Sequence, residues 1–182
     1  MSNQPDVSIQ RILAEHADGF HRVYDFVARE RKYLAALQAH PLARTREFVM
    51  NNIAKGYPQF VAISANEVVG WCDIIPMSSP AHAHVAKLGM GLLPSFRGRG
   101  IGQTLVEKAL SDARRLGLAR IELTVHADNR RAISLYDRMG FKKEGLAKDA
   151  VFIDGVYKDV IMMALVERSN EFVSGVATPP ST

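Results

Sequence analysis

At 182 residues with 47% hydrophobic side chains, the chain is long enough to bury one sizeable core, and residues 1–168 read as a single domain. Lys and Arg number 23 against 19 Asp and Glu, a net charge of +4; the basic residues fall in short pairs such as Arg114-Arg115, Arg130-Arg131 and Lys142-Lys143, which suits an anionic ligand and argues against a nucleic-acid groove. No apolar run reaches the roughly 18 residues of a membrane span, Met1 to Asp6 lack the features of a signal peptide, and the lone Cys72 excludes an internal disulfide, so a cytoplasmic protein is expected.

In chain order, Val7 to Ile12 alternates as a first strand should. Asp18 to Gln38 then carries Phe20, Val23, Tyr24, Val27, Tyr33, Leu34 and Leu37 at mostly helical intervals. A second helix is predicted from Thr45, a good N-cap with Glu47 in its first turn, to about Ala54, where Gly56 and Pro58 end it. Phe60 to Ser64 and Val68 to Ile75 are β-rich runs around the turn Ala65-Asn66-Glu67, and Val85 to Leu93 is a third strand. Gly89 and Gly91 weaken that strand and suggest a bulge or a close approach to the backbone.

After the turn at Arg97 to Gly102, Ile101, Leu105, Val106, Ala109, Ala113 and Leu116 line one side of a helix closed by Gly117. Ile121 to His126 alternates as a half-buried strand. Ala132, Leu135, Tyr136 and Met139 then form one helical stripe closed by Gly140. Val151 to Ile153 and Tyr157 to Leu165 flank Asp154-Gly155, a type I′ hairpin turn, and residues 169–182 read as a disordered tail. Hairpins combined with one strand–helix–strand crossover predict an α/β fold with one mixed sheet flanked by helices.

The sharpest chemical feature is Arg97-Gly98-Arg99-Gly100-Ile101-Gly102, between a predicted strand and a predicted helix. Glycines let the backbone turn and approach a ligand, the free N–H groups of a helix start attract anions, and Arg97 and Arg99 add positive charge: the arrangement of a phosphate cradle. It is neither a dinucleotide fingerprint, which needs glycine at Gln103, nor a Walker A loop, which ends in Gly-Lys and Ser or Thr. Cys72 lies in a hydrophobic strand with no base paired to it and reads as packing. His82 and His84 lack further ligands nearby, so no metal site is expected. Trp71 and Asp73, at i and i+2 on one strand face, are candidates for lining an acceptor pocket.

The run Leu92 to Leu105 resembles the acetyl-CoA signature of the GNAT acetyltransferase superfamily, Arg or Gln, two residues, Gly, one residue, Gly or Ala. Asn129 to Phe141 is similar to that family's second segment, with its asparagine, Ala-Ile, Leu-Tyr and Gly-Phe. The order of elements is nearest to members that include phosphinothricin and protein N-terminal alanine acetyltransferases. The resemblance implies a mostly antiparallel mixed sheet in which one parallel strand pair, Val85 to Leu93 and Ile121 to Val125, splays apart to hold CoA. It implies acetyl-CoA as cosubstrate, with the pantetheine arm against Met90, Gly91 and Leu92, the pyrophosphate over Arg97 to Gly102, and Asn129 nearby.

Tyr136 matches the family's general-acid tyrosine, and the implied reaction is direct attack of the primary amine of a small molecule or peptide on the thioester in a ternary complex. A homodimer is also implied. The competing reading is a non-catalytic CoA-binding or regulatory module, which would need the cradle but have no use for Tyr136. One departure stands out. Phosphinothricin-type members carry a glutamate, proposed as base, where this chain has Lys87, so the proton is expected to leave through water relayed by Asp73, Glu122, His84 or His126, with Lys87 as a candidate for attracting an acidic group on the acceptor.

Overall fold

A computed structural model describes residues 6–167; the expected tail, 169–182, lies outside them. Seven strands form one sheet in the order β1-β2-β3-β4-β5-β7-β6. Their ranges are β1 Ser8–Arg11, β2 Gln59–Ser64, β3 Glu67–Pro76, β4 Val85–Leu92, β5 Arg120–His126, β6 Lys142–Ile153 and β7 Val156–Val166. Every neighbouring pair is antiparallel except β4 and β5. The helices are α1 Ala17–Arg29, α2 Leu42–Lys55, α3 Ile101–Arg115 and α4 Arg130–Arg138.

Strand alternation sorts the core into two layers. On one face Cys72, Ile74, Ala86 and Leu88 pack with Leu105, Val106 and Ala109 of α3 and with Ile133 and Tyr136 of α4. On the other, Val61, Val68 and Trp71 meet Phe20, Val23 and Val27 of α1 and Val49 of α2. Trp71 is the hub of the second layer, with Phe20 edge-on at 5.7 Å and Tyr24 at 5.4 Å. α1 and α2 are further tied by Arg46, whose Nε and second guanidinium nitrogen donate to the Asp18 carboxylate at 2.8 and 2.7 Å.

Three element boundaries differ from the periodic reading. α1 stops at Arg29, and Arg31 turns to φ 55°; Tyr33 and Leu34 still reach the second core layer, but from irregular chain. Their apolar spacing reports burial, which a loop satisfies as well as a helix. α2 begins at Leu42 behind Pro41, while the Thr45 hydroxyl lies 3.0 Å from His21 Nδ1 on α1 rather than capping its own helix. β6 starts at Lys142, far ahead of Val151, because its first residues face solvent on an edge strand and carry no apolar alternation.

Asp154 and Gly155 have the expected positive φ (51° and 80°), and Ala65 and Asn66 in the β2–β3 turn share it (49° and 63°). Gly89 and Gly91 mark no bulge, since β4 pairs with β3 in continuous register from Ala86 to Leu92. A Cβ on Gly91 would fall 2.3 Å from the Trp71 ring, so this glycine leaves room for the indole.

Candidate active site

β4 and β5 are hydrogen-bonded only from Val85–Lys87 to Arg120–Glu122, although each strand runs on, β4 to Leu92 and β5 to His126. Beyond those three pairs the strands diverge, each still held by its outer neighbour, β3 or β7. The facing edges therefore keep backbone N–H and C=O groups unpaired in the sheet, a ladder that an extended ligand can complete. A cleft of about 810 Å3 opens there, lined by Leu88 to Leu92 on one side and Thr124 to His126 on the other.

At the mouth of the gap, Gly98 and Gly100 adopt φ 76° and 79°, and Gly100 is the N-cap of α3. The first intrahelical bond runs from Thr104 N to Gly100 O, which leaves the N–H groups of Ile101, Gly102 and Gln103 for an anion. Gly102 is buried where a Cβ would meet the Met90 methyl at 3.1 Å, so the helix start sits close against β4. Ile101 packs inward in the core.

The two loop arginines have different occupations. The Arg97 guanidinium is a structural clamp: its Nε donates to the Leu92 carbonyl at 2.8 Å, its two terminal nitrogens grip the Glu30 carboxylate, and its Cζ lies 4.7 Å from the Tyr33 ring centroid. Arg99 lies over Phe96 at 5.2 Å and does not line the cleft. The cationic side chains that line it beside Arg97 are Arg131 and Arg138, at i and i+7 on α4 with Leu135 between them. The Arg131 guanidinium stands 3.8 Å from where a Gly98 Cβ would be. Periodicity passed over these arginines because a charged helix face usually means solvent. Asn129 lines the cleft and caps α4, its Oδ1 accepting from Ala132 N at 3.2 Å.

Tyr136 projects from α4 into both the core and the cleft, 7% exposed, with its ring 5.7 Å from that of Phe141. Burial, and secondarily Cys72, push its hydroxyl pKa well up, so it is a neutral donor at any physiological pH. Cys72 is completely buried, and burial pushes its thiol well above the ordinary range, which leaves no thiolate for attack.

Sequence reasoning did not single out the segment after α1. Glu30 holds Arg97; Arg31 pairs with Asp154 in the β6–β7 turn; the Lys32 carbonyl lies 2.9 Å from His126 Nδ1; Tyr33 stacks on Arg97. Four consecutive residues thus strap the chain across three sides of the cleft. Beyond them Leu34 and Ala35, with Ala147, Ala150, Val151, Val160 and Met162 of the outer hairpin, form an apolar end wall.

Trp71, Asp73 and Lys87 share one face of the β3–β4 pair, where Trp71 is opposite Gly91, Asp73 opposite Gly89 and Lys87 opposite Ile75, but they do not line the cleft. Lys87 is exposed. The Asp73 carboxyl is buried behind Gly89, whose N–H donates to it, and desolvation raises its pKa from 3.8 to about 7. Between those values the unfolded chain releases the proton before the folded one does, so stability falls as pH rises from about 4 to 7 and then levels. Asp73→Asn, which retains an acceptor for Gly89, should match the parent in urea unfolding near pH 4 and exceed it at pH 8 by about 2–4 kcal/mol. A constant difference across that range would refute the buried-charge account. Among the described residues no group of three or more His, Cys, Asp or Glu is placed to hold a metal, and no helix is long and apolar enough to cross a membrane.

Comparison with known proteins follows the same geometry. The model of the acetyltransferase (GNAT) family matches residues 20–141. The L-amino acid N-acetyltransferase AaaT of Escherichia coli is 34% identical over 113 residues, 62% of this chain and 70% of that one. Further relatives are matched over about half of their own length or less. Among solved structures, yncA of Salmonella typhimurium, determined with its cofactor acetyl-CoA, superposes with a TM-score of 0.85 at 16% identity, covering 97% of this chain and 99% of that one. A phosphinothricin acetyltransferase of Sinorhizobium meliloti in complex with acetyl-CoA gives 0.82 at 20% identity, covering 96% and 93%.

Proposed function

Because the chain belongs to the GNAT acetyltransferase family and is an N-acetyltransferase that uses acetyl-CoA, we propose that its acceptor is the α-amino group of a free amino acid with an apolar side chain. The observation that carries this reading is the charge of the cleft: with Arg97 already paired to Glu30, its lining among the described residues still includes Arg131 and Arg138 and no carboxylate. A polyamine would enter such a cleft without a counter-charge, whereas a carboxylate-bearing amine is attracted to it. The wall of Leu34, Ala35, Val151, Val160 and Met162 suits the apolar side chain, and the amino-acid substrate named for the Escherichia coli relative agrees.

In this reading acetyl-CoA lies along the gap, its pyrophosphate on the backbone from Gly98 to Gln103 with Arg131 alongside. The amine attacks the thioester directly, Tyr136 gives the departing sulfur its proton, and the inert Cys72 carries no acetyl group. Arg97 contributes through its backbone and through the strap it holds. The exposed Phe152, Val156 and Tyr157 of the outer hairpin support a homodimer formed across it.

Thiol release from acetyl-CoA, assayed over amino acids, polyamines, aminoglycosides and N-terminal peptides, tests the reading. Apolar amino acids such as methionine or leucine should give the highest kcat/KM, at least about tenfold above spermidine, since one unfavourable charge contact is worth about 1 kcal/mol or more. Preference for spermidine would overturn it.

A further inference from the structure

The transfer needs a proton acceptor for the incoming ammonium, and neither Lys87 nor a carboxylate on the cleft wall supplies one. We propose that His126 is that acceptor, through Nε2. The assignment rests on the acetyl-transfer reading above and on three observations independent of it. His126 lines the cleft on the β5 edge of the gap, where it is 4% exposed. It shares its strand face with Thr124, another cleft residue, two positions before it, and this is the face opposite the core packed by Leu123 and Val125. Its Nδ1 lies 2.9 Å from the Lys32 carbonyl.

The last contact decides the tautomer. A backbone carbonyl only accepts, so Nδ1 carries the hydrogen and Nε2 keeps its lone pair. The strap therefore holds the imidazole in the form that takes up a proton.

Many of the charged groups near it stand in ion pairs, while Arg131 and Arg138 of α4 line the same cleft. On or beside β5, Glu122 is bound to Arg120, and Asp128 lies 3.4 Å from Lys158 of β7. On β7, the Asp159 carboxylate accepts from Asp149 N. From the strap, Glu30 is held by Arg97 and Arg31 by Asp154, while Lys32 and Tyr33 flank the histidine's anchor. On β4, Lys87 is the one titratable side chain of that strand.

The proton balance closes. Of the acceptor ammonium's three protons, His126 takes one and passes it to solvent, freeing the nitrogen lone pair. The C–N bond forms as the C–S bond breaks. A second proton ends on the CoA sulfur, delivered by Tyr136 and replaced from the nitrogen, and the third stays on the amide.

His126→Asn places an amide nitrogen near the position of Nδ1, keeping the bond to Lys32, and removes Nε2. With the best amino acid of the panel, kcat/KM should fall about 100- to 1,000-fold at pH 7. Acetyl-CoA Kd should not change, and the deficit should shrink as pH rises until the amine deprotonates unaided. A packing role for His126 predicts instead a pH-independent deficit, and that result would overturn the assignment, as would unchanged activity. Long-range 1H–15N spectra of the parent should show a neutral His126 protonated at Nδ1; protonation at Nε2 would equally overturn it. A parent that releases thiol with no amine at all removes the transfer reading and this one together, whereas an active parent with a pH-independent deficit removes only this one.

Discussion

Gly100→Val weakens acetyl-CoA binding by at least about 100-fold, about 3 kcal/mol, as measured by calorimetry. The residue holds φ 79° at the N-cap of α3, and no protein atom lies within 4 Å of where its Cβ would be, so the added side chain projects into open space at the mouth of the cleft. In the proposed acetyl-CoA complex that space belongs to the pyrophosphate. Valine also resists the left-handed conformation, which costs about 1–2 kcal/mol and turns the N–H groups after it away from the anion. Strain alone is controlled by Gly117→Val, because Gly117 sits past the other end of the same helix with φ 72° and equally empty surroundings. That variant should lose similar stability and bind acetyl-CoA like the parent. Equal binding by both variants would remove the pyrophosphate from this loop.

Tyr136→Phe should leave acetyl-CoA affinity unchanged and lower kcat about 10- to 1,000-fold, the range for losing one acid–base group. The ring is anchored among Ile133, Phe141 and the α3 face of the core, and phenylalanine keeps that packing. The change removes only the hydroxyl from a buried ring, so the melting temperature should change little. Burial keeps it protonated, which suits a donor to departing sulfur and excludes a phenolate base. Unchanged turnover with a good acceptor would reduce Tyr136 to a core aromatic.

What was legible in the sequence was whatever repeats locally. The stripe of Leu105, Val106 and Ala109, the alternation from Ile121 to His126 and the Asp154-Gly155 turn each satisfy a short-range rule, and each stands in the fold as read. Glycines at positive φ marked the loop before α3. Long-range pairings were illegible: nothing in the spacing of Glu30 and Arg97, or of Lys32 and His126, links residues 67 and 94 positions apart. For the same reason Arg97 read as a phosphate ligand, when its side chain is engaged by a carboxylate from another element. The edge strand β6 escaped notice because solvent places no periodic demand on Lys142, Lys143 and Glu144.

The strap from Glu30 to Tyr33 has a consequence for how this enzyme changes its substrate. Each of its four residues is fastened to a different neighbour or stacked on one, while Leu34 and Ala35, just beyond, supply part of the apolar end wall. A chimera that exchanges the whole stretch between α1 and α2 for a relative's would cut the fastenings to the CoA loop and to His126 together with the wall, and lose turnover before any new preference showed. Randomising residues 34–40 alone, with Glu30 to Tyr33 held fixed, changes the wall formed by Leu34 and Ala35 and leaves those fastenings intact.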